Sequence, residues 1–161
     1  MMGKSEMLRE LWEARRSFLD SLQGLSETEA SVPGSIGSWS VKGVVAHMEY
    51  WDVEFLQGLT TLRRGGYPEF LDVDCDERNA VEVEKRRGKS LSELIKSLGE
   101  SGAKVREYLE SLDEHEFSKS WGQEWKTWDV TIEWIAEGII GHDRHHTTRI
   151  LSWRRKERKE T

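Results

Sequence analysis

Three of the five histidines in this sequence fall in one short run, Gly141-His142-Asp143-Arg144-His145-His146. Around that run the inward positions recur at helical spacing. Reading from Trp128, the series is Ile132, Ile135, Ile139, His142, His146, Arg149 and Trp153, steps of three and four that trace one helix face. Imidazoles four residues apart on a helix have Cβ atoms about 5–6 Å apart and can reach one metal ion. His142 and His145 are also suitably spaced, but His145 points roughly 100° away from His146, and the apolar phase selects His142 and His146. An isolated pair of this kind is commonly two histidines that merely share a face. Here they lie on the buried phase, Arg149 follows one turn later, and His47 stands on another helix far upstream, so a metal site is the better reading. Arg149 is itself an inward charge, which must be paired or open to a cleft. It is expected either to pair with Glu or Asp of another helix or to clamp a carboxylate on a substrate or thiol through its bidentate fork.

The elements that must position these residues are helical. Ser5 to Gly24 reads as a first helix with Leu8, Leu11, Trp12, Leu19 and Leu22 on one face, and Ser26 to Glu29 as the capping box of an extra turn. A second helix is predicted from Ser40 to Arg64. Its apolar face holds Val41, Val44, Val45, Met48, Trp51, Phe55 and Leu59, with Asp52 on that face and His47 at its edge. Glu77 to Arg87 reads as a short helix ending at Gly88. A third long helix opens with the capping box Ser90 to Glu93 and turns Leu91, Leu94, Ile95, Leu98, Val105, Leu109 and Leu112 inward, with Gly102 in that stripe. The fourth is expected to start near Thr127 or Asp129, after a run of tryptophans that plugs one end of the bundle. No run alternates well enough to form a sheet. These patterns predict an all-α four-helix bundle over residues 1–161 as a single domain, with a short extra helix between helices two and three.

Composition narrows the partners. The net charge of −6 argues against nucleic acid, which demands clustered cations. The basic run Arg154 to Lys159 reads as a solvated helix end, where the helix dipole favours cations. No apolar run approaches the ~18–20 residues of a membrane span, and Met1 to Glu6 lacks the apolar core of a signal peptide. A cytoplasmic location is expected. The one cysteine, Cys75, excludes an internal disulfide; flanked by Asp74 and Asp76, it makes a poor nucleophile. The acidic loop Asp72 to Asp76 does not match a calcium loop.

Trp39-Ser40-Val41-Lys42, Val45 to Asp52, and His142 to His146 together resemble the DinB/YfiT-like superfamily, as does the segment from Asn79 to Ser90. The resemblance implies a four-helix bundle, a homodimer, and a divalent metal held by His47, His142 and His146. It departs from the family at Thr147-Thr148-Arg149, where relatives often carry Arg-Gly-Gln. Three neutral imidazoles leave a coordination position open, the pattern of a catalytic zinc site. Zinc is the first expectation, and nickel, iron or manganese would also suit. The expected partner is a small-molecule substrate, with a low-molecular-weight thiol as cosubstrate, and the expected reaction is transfer of that thiol to an electrophile. Metal-dependent hydrolysis is the alternative, and a non-catalytic, stress-related metal- or ligand-binding bundle the second. Asp52, Glu54 and Asp143 are candidate bases by sequence proximity.

Overall fold

Helix starts are written into this chain by hydroxyl and carboxylate caps. Ser40 Oγ accepts from the Gly43 amide, Asp74 from Glu77, Ser90 from Glu93 and Thr131 from Trp134, each satisfying a donor that the first turn leaves unpaired. The computed structural model describes residues 2–161. Its helices are α1 (Lys4–Ser21), α2 (Glu27–Ala30), α3 (Val41–Arg63), α4 (Cys75–Lys85), α5 (Leu91–Glu110), α6 (Glu114–Ser118) and α7 (Ile132–Glu160), with a 3₁₀ turn at Glu69–Asp72. α1 packs chiefly on α7 and α3 on α5, and α3 also meets α7. This is the expected four-helix bundle, and α4 is the expected short helix between its second and third members. Among the described residues no helix is long and apolar enough to cross a membrane.

Three elements differ from the sequence reading. α6 was not foreseen; Asp113 and Glu116 build a capping box for it. α7 starts later than expected because Glu124–Trp125 and Trp128–Asp129 pair as a tiny antiparallel hairpin, β1 and β2, with Lys126 at φ 57° in its turn. Trp121, Trp125 and Trp134 do pack against the core, whereas Trp128 is exposed. The buried face of α1 is rotated from the one expected. Met7, Ala14 and Phe18 are buried, while Trp12 remains 52% exposed.

The core divides into two apolar clusters. One contains Met7, Trp51, Phe55, Leu109 and Ile135; the other contains Phe18, Val44, Met48, Leu98 and Ile150. Between them lies a polar layer. Arg15 on α1 donates to both oxygens of Asp52 at 2.8 Å and to both of Asp143 at 2.7 and 3.1 Å. Ser101 on α5 donates to Asp52 at 2.7 Å, so all four long helices contribute. A Cβ at Gly102 would stand 2.6 Å from Arg15 Nη1, and the guanidinium is pinned from both sides. Gly102→Ala should therefore cost roughly 1–3 kcal/mol of stability by overpacking, although alanine favours helix. An unchanged denaturant midpoint would show instead that the guanidinium can yield.

Candidate metal centre

The bundle brings together the three histidines selected from the sequence. One ring nitrogen from each of His47, His142 and His146 lies within 4.8 Å of the others. His47 Nε2 is 2.8 Å from His142 Nε2, and His146 Nε2 is 3.2 Å from the same atom. Nitrogens bound tetrahedrally at 2.0–2.1 Å stand roughly 3.3 Å apart, a spacing these two separations approach. His47 sits on α3 and the other two one turn apart on α7. His47 is not at an open edge as expected: it and His146 are buried, and His142 is half-buried. His145 and His115 are exposed.

A residue whose role the sequence did not reveal orients His47. Asn79 Oδ1 on α4 accepts the Trp51 indole N–H at 2.7 Å and lies 3.1 Å from His47 Nδ1. An amide oxygen only accepts, so Nδ1 carries the proton and Nε2 presents its lone pair inward. This is the outer support that metal-bound imidazoles ordinarily have. Asn79 stands as an uncharged side chain within the strongly charged helix α4, a weak signal that could have flagged it. His146 Nδ1 is buried without a partner. Trp39 lies over His47 with ring centroids 5.0 Å apart, and Phe55 borders His142 at 5.8 Å. The donor set and the inward lone pair fit a divalent ion and do not select one.

Burial penalises imidazolium in all three rings. It lowers His47 to about 4, aided by Arg149 and His145, and His146 to about 3, aided by His47, His145 and Arg149. His142 is held well below its ordinary value, by burial first and then by His146 and His47. Neutral ligands are what a metal needs. The unfolded chain binds protons on these side chains near pH ~6.5 whereas the fold resists them, so unfolding takes up protons. Stability of the metal-free protein should consequently fall as pH drops from about 6.5 towards 4. Denaturant midpoints across that window check this, and His47→Gln should flatten the slope. A parent slope equal to that of the variant would refute the assignment.

Arg149 is half-buried beside this cluster, and its cation depresses His47 and His146. The expected ion pair with Glu or Asp of another helix is not found: among the described residues Arg149 forms no ion pair or side-chain hydrogen bond. Gly37, at φ 63°, makes room for it, since a Cβ there would lie 2.8 Å from an Arg149 terminal nitrogen. Of the candidate bases, Asp52 and Asp143 are bound to Arg15 in the polar layer. Glu54 lies beside Tyr50, whose pKa is pushed up to about 12, by burial first and then by that carboxylate. Cys75 is exposed, with its thiol raised by desolvation and by Asp76 and Asp74.

A family model described as the DinB superfamily matches residues 10–150. Comparison with curated proteins gives no match. Among solved structures, a protein from Streptococcus pneumoniae superposes with a TM-score of 0.80 at 16% identity, covering 96% of this chain and 92% of that one. An uncharacterized protein from Clostridium difficile 630 gives 0.78 at 16%, covering 96% and 97%. The colibactin self-resistance protein ClbS, crystallised in complex with double-stranded DNA, gives 0.78 at 14%, covering 96% of each chain. At such identities the likeness shows the fold. The expectation that nucleic acid is excluded is nonetheless corrected, because a protein of this fold was crystallised with a DNA duplex. Net charge is an average over the surface, whereas phosphate contacts depend on local cation clusters.

Proposed function

Because the chain belongs to the DinB superfamily, we propose that it is a divalent-metal protein that transfers a small thiol to an electrophilic substrate. The observation that carries this reading is the convergence of the His47, His142 and His146 ring nitrogens within 4.8 Å. A divalent ion held by neutral ligands keeps its full charge and would favour the thiolate form of a thiol cosubstrate. The three imidazoles would hold the ion with no charge of their own, and Asn79 keeps the His47 lone pair directed inward. Arg149 supplies an unpaired bidentate cation next to the cluster, suited to a carboxylate on the thiol. In the transfer the thiol proton leaves to solvent and sulfur bonds to the electrophilic carbon. The bond from that carbon to its leaving atom breaks with its electron pair: an aryl chloride releases chloride, and an opened epoxide keeps its oxygen as an alkoxide that takes a proton from solvent. Hydrolysis is less favoured, because Asp52 and Asp143, two of the three candidate bases, are committed to Arg15.

The test supplies metal-loaded protein with an aryl chloride or an epoxide, with and without glutathione or bacillithiol-like and mycothiol-like thiols. Turnover that requires a thiol and vanishes in His142→Ala is expected. Arg149→Met should raise KM for a carboxylate-bearing thiol by roughly 10–100-fold, the worth of a charged hydrogen-bonded pair, and leave mercaptoethanol unaffected. Thiol-independent turnover would move the assignment to hydrolysis. No turnover with any thiol would leave a non-catalytic binding bundle.

A further inference from the structure

On the other side of the polar layer, between α1 and α5, the bundle leaves a cavity of about 320 Å³. Its walls are apolar: Leu11, Trp12 and Leu19 from α1, Leu98 and Val105 from α5, and Ile139 from α7. Leu11, Trp12 and Leu19 belong to the α1 stripe that the sequence marks as inward; the two leucines are partly buried against the core, and Trp12 is the exposed member. Arg15, Asp52 and Asp143 also line the cavity and supply its polar end. Gly99 borders it too, and a Cβ there would meet nothing within 4 Å. Arg106 stands near the mouth, stacked over the Trp12 ring at 4.5 Å and paired with Glu110 at 2.6 Å. None of these residues belongs to the histidine cluster.

The charge at the polar end is unbalanced. Two carboxylates face one guanidinium, with side-chain exposures of 3% and 2% for Asp52 and Asp143. A net negative charge taken this far from water is costly unless something cationic completes it. The carboxylates still have acceptor capacity. Each offers about four lone-pair sites, while Asp52 accepts from two Arg15 nitrogens and Ser101, and Asp143 from two Arg15 nitrogens. An ammonium brings three donors, no acceptor and one positive charge. An apolar body would cover Leu11, Leu19, Leu98 and Val105. The volume lies at the small end of ligand pockets, where apolar walls with few polar groups are usual.

We propose that this cavity is a second ligand site, distinct from the histidine centre, for a small primary ammonium compound with an apolar chain. Hexylammonium is the probe, with hexanol and hexanoate as neutral and anionic controls of like length. Titration calorimetry on the full chain should show one saturable site for hexylammonium. Its affinity should exceed that for either control by at least ~10-fold, the margin of a charge-assisted hydrogen bond over a neutral one. The Trp12 indole N–H resonance should shift on binding. Gly99→Leu fills the cavity while removing a helix-weakening glycine, so it should keep its melting temperature and lose the ligand; Ala103 also lines the cavity, and Ala103→Phe provides a second blocked variant. His146→Ala should bind as the parent does, which separates this site from amine ligation at a metal.

Equal affinity for hexanol would overturn the proposal, because the charged end would then go unread. So would the absence of saturation, or binding undiminished in both filled variants. A dimer seated on this face, broken by Trp12→Arg and indifferent to hexylammonium, would also overturn it.

Discussion

His146→Ala should abolish stoichiometric divalent-metal binding, with metal content of the purified protein as the measurement. The remaining pair, His47 and His142, cannot hold an ion alone against water and buffer. Affinity should fall by more than the ~10–100-fold typical of outer supporting residues. Asn79→Ala supplies that intermediate case, because it removes the acceptor 3.1 Å from His47 Nδ1 and leaves all three ligands in place. His145→Ala and His115→Ala should retain the metal, since both side chains are exposed and outside the cluster. Full metal content in His146→Ala would end the three-histidine assignment. The same content in Asn79→Ala alone would leave the ligands standing and remove only the orienting role.

Arg15→Leu is expected to have the largest effect on stability. It strips four hydrogen bonds from two carboxylates that are almost fully removed from water. Burial opposes the Arg15 charge, yet Asp52 and Asp143 raise its pKa above the ordinary value. Burial first, and the Asp52 carboxylate after it, push the Asp143 carboxyl up, and Arg15 works against both. Breaking such a pair by removing one partner costs about 3–5 kcal/mol, which for a chain of this length lowers Tm by roughly 6–20 °C. The triple change Arg15→Leu, Asp52→Leu and Asp143→Leu leaves no orphaned charge, so it should recover most of the loss, as apolar replacements of buried ion networks often do. Calorimetric melting of the single and triple variants decides the matter. A single variant that loses less than ~1 kcal/mol would mean that the layer behaves as an exposed pair.

The histidine cluster was legible because it follows helix phase. His142 and His146 continue the stripe of Ile132, Ile135 and Ile139, and His47 lies among the apolar residues of a long, well-capped helix. Arg15 was not legible in the same way. It falls in line with Leu11 and Leu19, but a single charge on an α1 face reads as a surface residue until Asp52 and Asp143 are seen to meet it. In sequence Asp143 reads as a candidate base for its place beside His142, although its side chain turns to the polar layer. The rotated face of α1 has the same origin. Periodicity marks the apolar stripe of a helix but not which part its neighbours cover, and Trp12 lies on the uncovered part. The hairpin before α7 has only two residues per strand, too few for an alternating pattern to show.

The polar layer and the histidine cluster share the same two helical frames. Asp143 directly follows His142, and Asp52 lies little more than one turn beyond His47. A single residue added between Ser40 and His47, or between Thr131 and His142, would turn everything downstream on that helix by roughly 100°. It would then displace the histidines and one arm of the Arg15 network together. Loops such as the one between Arg63 and Cys75 carry no such double constraint. The layer thus ties the register of the site to the register of the fold: a one-residue slip within α3 or α7 would break the Arg15 network along with the histidine cluster, whereas a length change in a connection would break neither.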